Sequence, residues 1–316
     1  MNYALDPEIA AVIPLLPQSD YQDLAGERSQ LKARLTELLA DLDTSGVSIH
    51  DELVPGSDGA PAVAVRVYRP DVDTASALLL DVHGGGFMLG DLDMNHADNV
   101  ELARDLGVVV VSVDYRLAPE APFPAGLEDC YTALTWLVNN AESLRIDPTR
   151  VVTYGVSAGA GLCAALALLA RDRGGPPISF QYLDSPELDD RLGTHSMRVF
   201  TDTPVWNRFN AEISWHHYLG PEMPGSEQVS LYAAPARATD LTGLPPTYIS
   251  VMEFDPLRDE GIDYARALLA AGVLAELHLF PGTFHSSGLM VRHPRVSQRQ
   301  RAERHAVLAR ALGVDQ

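Results

Sequence analysis

Lysine is almost missing from this chain: Lys32 is the only one, and arginine supplies the rest of the permanent positive charge. Lys and Arg together number 23 against 43 Asp and Glu, for a formal net charge of −20. Nucleic acids and anionic membranes are bound through basic patches, so both are excluded as expected partners. Cysteine is scarce as well. Cys130 and Cys163 each sit in an apolar helical pattern, which excludes a disulfide framework and fits a reducing compartment. No uninterrupted apolar run approaches the roughly 18 residues of a membrane span. The opening stretch MNYALDPEIAAVIPLLPQSD carries acids and prolines but no basic region, so it does not read as a secretory signal. A cytoplasmic location is expected, and the chain shows neither an internal repeat nor a low-complexity segment.

What remains is a chain of 316 residues, 46% hydrophobic, enough for one large core. Residues 1–45 have a helical pattern, with Leu31, Leu35, Leu38, Leu39 and Leu42 recurring at three- and four-residue steps, and such a face is expected to be buried. Alternation in Ala62–Tyr68 predicts a half-exposed antiparallel strand near a sheet edge. Ala77–Val82 and Val108–Val113 are continuous apolar runs, as in strands covered on both faces. Helical patterns over 94–105, 126–139, 258–271 and 294–312 alternate with further strand patterns at 151–154, 178–183, 247–252 and 275–280. That alternation predicts an α/β fold with a mostly parallel, doubly wound sheet. It breaks between about 185 and 225, where Trp206, Phe209 and Trp215 fall in helical surroundings, so an inserted segment over the sheet edge is expected. The expected organisation is a helical cap segment at 1–45, a core at 46–184, a cap insertion at 185–225 and the rest of the core at 226–316.

The chemistry concentrates where Val151–Tyr154 meets the turn Gly155-Val156-Ser157-Ala158-Gly159 and an alanine-rich helix follows. A strand turning straight into a helix holds its apex residue in a strained conformation, and the neighbours can carry almost no side chain. Ser157 is thereby a candidate nucleophile at a strand's carboxyl end. A nucleophilic serine needs a later base, an acid between the two, and amide donors on an earlier strand-end loop. His83-Gly84-Gly85-Gly86-Phe87, directly after ALLLDV, offers bare amides of the kind that stabilise an oxyanion. Asp255, just past the 247–252 strand, is the acid candidate; a helix N-cap is its bland alternative, and Glu253 and Asp259 are its rivals. His285, in the loop after the last strand and 30 residues beyond Asp255, is the base candidate among ten histidines.

Taken together, HGGGF (83–87), VDYRLAPEAPFPA (113–125), GVSAG (155–159), YAAPARATDLTGLPPTYIS (232–250), EFDPLRDEG (253–261) and Phe284-His285 resemble the bacterial hormone-sensitive-lipase-like esterases of the α/β-hydrolase fold. The resemblance implies hydrolysis of short- to medium-chain carboxylic esters without a cofactor, with Ser157, Asp255 and His285 as the triad. It also implies an oxyanion hole from the amides of Gly85, Gly86 and Ala158, a cap from the N-terminus and the insertion, and a homodimer as a reasonable assembly. Three positions depart from the family pattern: Val156 before the nucleophile, Ala160 after the second elbow glycine, and Ser286-Ser287 where Gly-Phe usually follows the histidine. Phe87, Val156, Trp206, Phe209, Trp215 and Ser286 are the candidate pocket residues, with the three cap aromatics expected to narrow the site toward short acyl chains.

Two other classes were weighed. Gly159-x-Gly161-x-x-Ala164, with Asp184 further on, mimics a dinucleotide fingerprint, but the glycine directly after the strand is Gly155, and Ser157 would stand where the pyrophosphate must approach backbone. A small-molecule receptor on the same fold, like the gibberellin receptors that this family resembles, lacks the base that His285 supplies here. A metal site is not expected: there is no H-E-x-x-H, and His216-His217 fits a cap surface.

Overall fold

The computed structural model describes residues 3–17, 19–56, 59–72 and 76–314. Among them, eight strands form one sheet in the order β1-β2-β4-β3-β5-β6-β7-β8. The strands are β1 Val47–Val54, β2 Val63–Pro70, β3 Ser76–Val82, β4 Val109–Asp114, β5 Ile146–Val156, β6 Phe180–Asp184, β7 Thr247–Phe254 and β8 Ala275–Phe284. β1 and β2 run antiparallel, and β2 joins β4 antiparallel; every pairing from β4 through β8 is parallel. The parallel strands therefore deliver their carboxyl ends, and the loops that follow, to one side of the sheet. That is where open α/β sheets place their chemistry.

The continuous apolar strands are buried for the expected reason. Leu78, Leu79, Leu80, Val109, Val110 and Val111 are all fully buried because helices cover both faces. One face packs on α4 (Ala125–Asn139), α5 (Ala158–Arg173) and α8 (Arg258–Ala270), the other on α3 (His96–Leu106) and α10 (Arg295–Leu312). Cys130 and Cys163 are free and buried in the first of these layers. On the other, Arg304 of the basic terminal helix and Arg292 just ahead of it reach the Asp98 carboxylate of α3 at 2.8 and 2.7 Å. Among the described residues no helix is long and apolar enough to cross a membrane.

The 62–68 strand is β2, second from the sheet edge, antiparallel to both neighbours and only partly buried, as expected. The edge itself is β1, which has no readable alternation because only Val47 and Val54 at its two ends are buried. Two expectations need correction. The leucine face of α2 (Leu24–Leu39) is not a buried face: Leu38 is 76% exposed, and the helix's one buried residue is Glu27. Charge holds α2 instead. Arg28 donates to the carbonyls of Met88 and Ala118, both at 2.9 Å, and pairs with Glu120, while Lys32 bridges Asp91 and Asp93. Leu24 and Leu31 touch the apolar cluster of Tyr21, Met88, Leu89, Met197 and Trp206, and Leu42, past the helix end, packs on the α3 and α10 side of the sheet. The inserted stretch, carrying α6 (His195–Val199) and α7 (Arg208–Leu219), sits above the strands' carboxyl ends rather than over an edge. Its Ser214 hydroxyl donates to the Gly86 carbonyl at 3.0 Å, and its Trp206 ring lies near His285.

Asp81, at the end of β3, is fully buried and accepts hydrogen bonds from Asn95 and Asn99 of the α3 region and from Ser112 of β4, each at 2.8 Å. This carboxylate ties helix to sheet directly beneath the loop that starts at His83. Asp81→Ala would strand three donors in the interior, and a loss of about 3 kcal/mol in urea-unfolding stability is expected, at roughly 1 kcal/mol per bond. An unchanged midpoint would refute that anchoring role.

Candidate active site

The strand-to-helix turn is as tight as its glycines suggested. Ser157 adopts φ 57°, ψ −122°, a region that side-chain-bearing residues occupy only under constraint. The constraint is close passage of backbone past backbone. A Cβ on Gly159 would stand 2.0 Å from the Val82 carbonyl oxygen and 2.4 Å from that of His83, and one on Gly155 would stand 2.4 Å from the Gly159 carbonyl. Neither position admits any other residue without moving main chain. The Ser157 amide donates to the Asp184 carbonyl at 2.8 Å, locking the turn to the end of β6.

Loops far apart in sequence meet at this serine. Ser157 Oγ lies 3.0 Å from His285 Nε2, and His285 Nδ1 lies 2.7 Å from Asp255 Oδ2. The other Asp255 oxygen accepts the Leu257 amide at 2.9 Å, so one carboxylate starts the turn into α8 and faces the imidazole. The carboxylate thus has a contact at the chain turn before α8 besides the one to the imidazole, but the helix N-cap is Leu257, not Asp255. The rivals are occupied elsewhere: Glu253 accepts from the Gly282 amide, and Asp259 from Ser196. Ser157, Asp255 and His285 are 5%, 0% and 3% exposed, so the three groups face one another out of bulk water.

The glycine loop lies against this triad. A Cβ on Gly84 would sit 2.9 Å from the Val156 carbonyl and 3.5 Å from Ser157 Cβ. Gly85 and Gly86 have φ of 112° and 58°, and among the described residues no hydrogen bond uses their amides. Ala158, the first residue of α5, has an amide with no acceptor inside its helix. His83 shapes the loop. Its Nδ1 donates to the Gly84 carbonyl at 2.7 Å, its ring stacks on Tyr115 with centroids 4.3 Å apart, and burial pushes its pKa down to about 4, so it is neutral.

A family profile described as an alpha/beta hydrolase fold matches residues 79–288. Carboxylesterase NlhH of Mycobacterium tuberculosis is 38% identical over 290 residues, spanning 89% of this chain and 88% of that protein. The chain belongs to the hormone-sensitive-lipase-like α/β-hydrolases. Esterase LipI of the same species is 36% identical over 87% of this chain and 85% of its own length. Among solved structures, a bacterial heroin esterase superposes with a TM-score of 0.95 at 52% identity, covering 98% of each chain. Esterase LipW from Mycobacterium marinum gives 0.89 at 40% identity, over 98% of this chain and 96% of that one. Like those relatives, this α/β-hydrolase is a carboxylic ester hydrolase.

The candidate pocket residues divide. Trp206, 3% exposed, lies over His285 with ring centroids 5.8 Å apart, packs edge-on against Tyr21, and would meet a Cβ on Gly86 at 2.7 Å. Phe87 stacks on Tyr218 at 3.9 Å, and Trp215 is fully buried behind both. Two assignments fail. Phe209 is 48% exposed, because it projects from the outer side of α7. Val156 points away from the pocket: it alternates with Val152 and Tyr154, and all three enter the apolar cluster on the α3 and α10 face. Ser286 takes φ 57°, the left-handed conformation that a glycine tolerates without cost.

The sequence reading missed Ser214, and it missed Glu187, whose amide donates to the Ser157 carbonyl at 3.2 Å. The placement of Glu187 just after β6, ahead of a run of acids, was a usable signal. Metal-capable side chains gather at Glu101, Asp105 and His305, on the seam of α3 and α10, where Arg292 and Arg301 already pair with Glu101. Trp206→Ala should raise the ratio of kcat/KM for p-nitrophenyl octanoate over butyrate about tenfold, the scale of a few methylene contacts. Phe209→Ala should leave that ratio unchanged, and a shift with Phe209→Ala but not Trp206→Ala would reverse the assignment.

Proposed function

We propose that this ester hydrolase works through an acyl-enzyme on Ser157. His285 takes the hydroxyl proton through Nε2 as Ser157 attacks the ester carbonyl, and Asp255 holds the imidazole in register and stabilises its charged form. The amides of Gly85, Gly86 and Ala158 receive the developing oxyanion, each such donor contributing roughly 3–4 kcal/mol. His285 then protonates the departing alcohol, and water activated by the same nitrogen releases the acid. The observation that carries this reading is the continuous chain of contacts from Asp255 Oδ2 to His285 to Ser157 Oγ, at 2.7 and 3.0 Å, in a site shielded from solvent. The free amides of the glycine loop supply the electrostatic half of the mechanism.

Short- to medium-chain acyl groups are the proposed substrates. Trp206 lies over His285 and meets the Gly86 position, and Phe87 at the end of the glycine loop stacks on Tyr218, so aromatic rings border the site.

Ser157→Ala should lower turnover of p-nitrophenyl butyrate by about four to six orders of magnitude while the circular dichroism spectrum stays native. A fluorophosphonate should label the wild type stoichiometrically, and peptide mass mapping should find the adduct on Ser157. Label on another serine, or a variant that keeps most of its activity, would overturn the assignment.

A further inference from the structure

Glu187 is fully buried, and neither of its carboxylate oxygens makes a well-formed hydrogen bond among the described residues, although the Ser214 hydroxyl lies close by. Its position is fixed at the main chain. The Glu187 amide donates to the Ser157 carbonyl at 3.2 Å, and its own carbonyl oxygen would lie 2.2 Å from a Cβ on Gly161, in the first turn of α5. The side chain runs toward Ser214, whose hydroxyl is already committed to the Gly86 carbonyl at 3.0 Å. The carboxyl group thus lies between the nucleophile's turn and the oxyanion loop, beneath α7. Tyr115 and Tyr218 are close enough to feel its charge, and the Tyr218 hydroxyl is likewise buried without a partner.

Among the described residues no cation faces Glu187. The charged neighbours that act on it or that it acts on are Asp255 and Glu260, both acids. Burial, reinforced by Asp255, pushes its pKa up to about 8, so at neutral pH the group is mainly a neutral carboxyl able both to donate and to accept. An interior polar group left without a partner is destabilising, and a ligand group that completes it recovers that loss.

The two halves of a bound ester can be told apart. The alcohol must leave beside His285 Nε2, which protonates it. The acyl substituent then extends the other way, along the loop and helix where Glu187, Ser214 and Phe87 gather. We propose that Glu187 is the specificity-determining residue of the acyl half, selecting short acyl chains that carry a hydroxyl group over purely hydrocarbon chains of the same shape. The inference rests on the serine-esterase reading above and adds the substrate class to it.

Hydroxy esters and their methyl isosteres test this directly: ethyl 3-hydroxybutyrate against ethyl 3-methylbutyrate, and ethyl lactate against ethyl isobutyrate. Each kcat/KM, measured by pH-stat on the full chain, is divided by the ester's rate constant with hydroxide, which removes intrinsic reactivity. In the wild type at least one hydroxy ester should exceed its isostere about tenfold or more, as expected for a hydrogen bond to a buried partner. Glu187→Gln, which still donates and accepts, should keep most of that preference, and Glu187→Met should erase it. Parity in the wild type, or a preference that survives Glu187→Met, overturns the proposal. So does a stronger preference for ethyl 3-aminobutyrate, which would make Glu187 a reader of cations. p-Nitrophenyl acetate serves as the separate gauge: if it is hydrolysed while both pairs run at parity, the hydroxyl selection fails and the esterase chemistry stands.

Discussion

Main chain pressed against main chain is the constraint from which the site follows. At Gly159 the first turn of α5 passes so close to the end of β3 that the Val82 and His83 carbonyls occupy the space a side chain would need. This contact forces Ser157 into its strained geometry and brings the glycine loop alongside. It also orients the start of α5 so that the Ala158 amide faces the same point. Asp255 and His285 arrive independently, from the ends of β7 and β8 two and three strands away from β5. Only a rigid parallel sheet can bring such separate loops together to within hydrogen-bond distance, and the fully buried aliphatic strands supply that rigidity.

Legibility in the sequence followed how local the cause was. The elbow, the glycine loop and the parallel strands were readable because each depends on residues within a few positions: glycines at a turn, or a continuous run of Leu and Val. The meeting of Ser157, Asp255 and His285 was readable through the order in which a nucleophile, an acid and a base would have to occur. β1 was not, because a strand held at an edge by backbone pairing needs no apolar face, and its middle residues are exposed. The docking of α2 was misjudged for a related reason. Its leucines have helical spacing, yet the partners that decide its position, Met88, Ala118, Glu120, Asp91 and Asp93, lie about sixty to ninety residues on. Phe209 and Val156 were assigned from proximity in sequence, whereas the side that each faces is set by helix phase and strand alternation. Glu187 was overlooked although it stands just after β6, because acids read as surface groups; here Glu187, Asp189 and Asp190 all fold inward.

Two buried carboxyl groups show how differently one interior treats the same chemistry. Asp81 is surrounded by three donors and serves as a joint between helix and sheet. Glu187 has no well-formed donor contact among the described residues, only the nearby Ser214 hydroxyl, and its amide bonds the Ser157 carbonyl. Interior polar groups in folded proteins are ordinarily satisfied, so an exception of this kind at the reacting centre carries information about what binds there.

The scarcity of lysine acquires a practical meaning once its one representative is located. Lys32 sits on α2, the helix resting against the Trp206 cluster, and its ammonium holds Asp91 and Asp93 on the loop that follows the glycine-rich stretch. Reagents and resins that couple through side-chain amines therefore have a single address on this molecule. Attachment there discharges the clamp and tethers the protein by the very helix that fronts its reacting groups, so immobilisation chemistry directed at carboxylates is the gentler route to a working catalyst on a support.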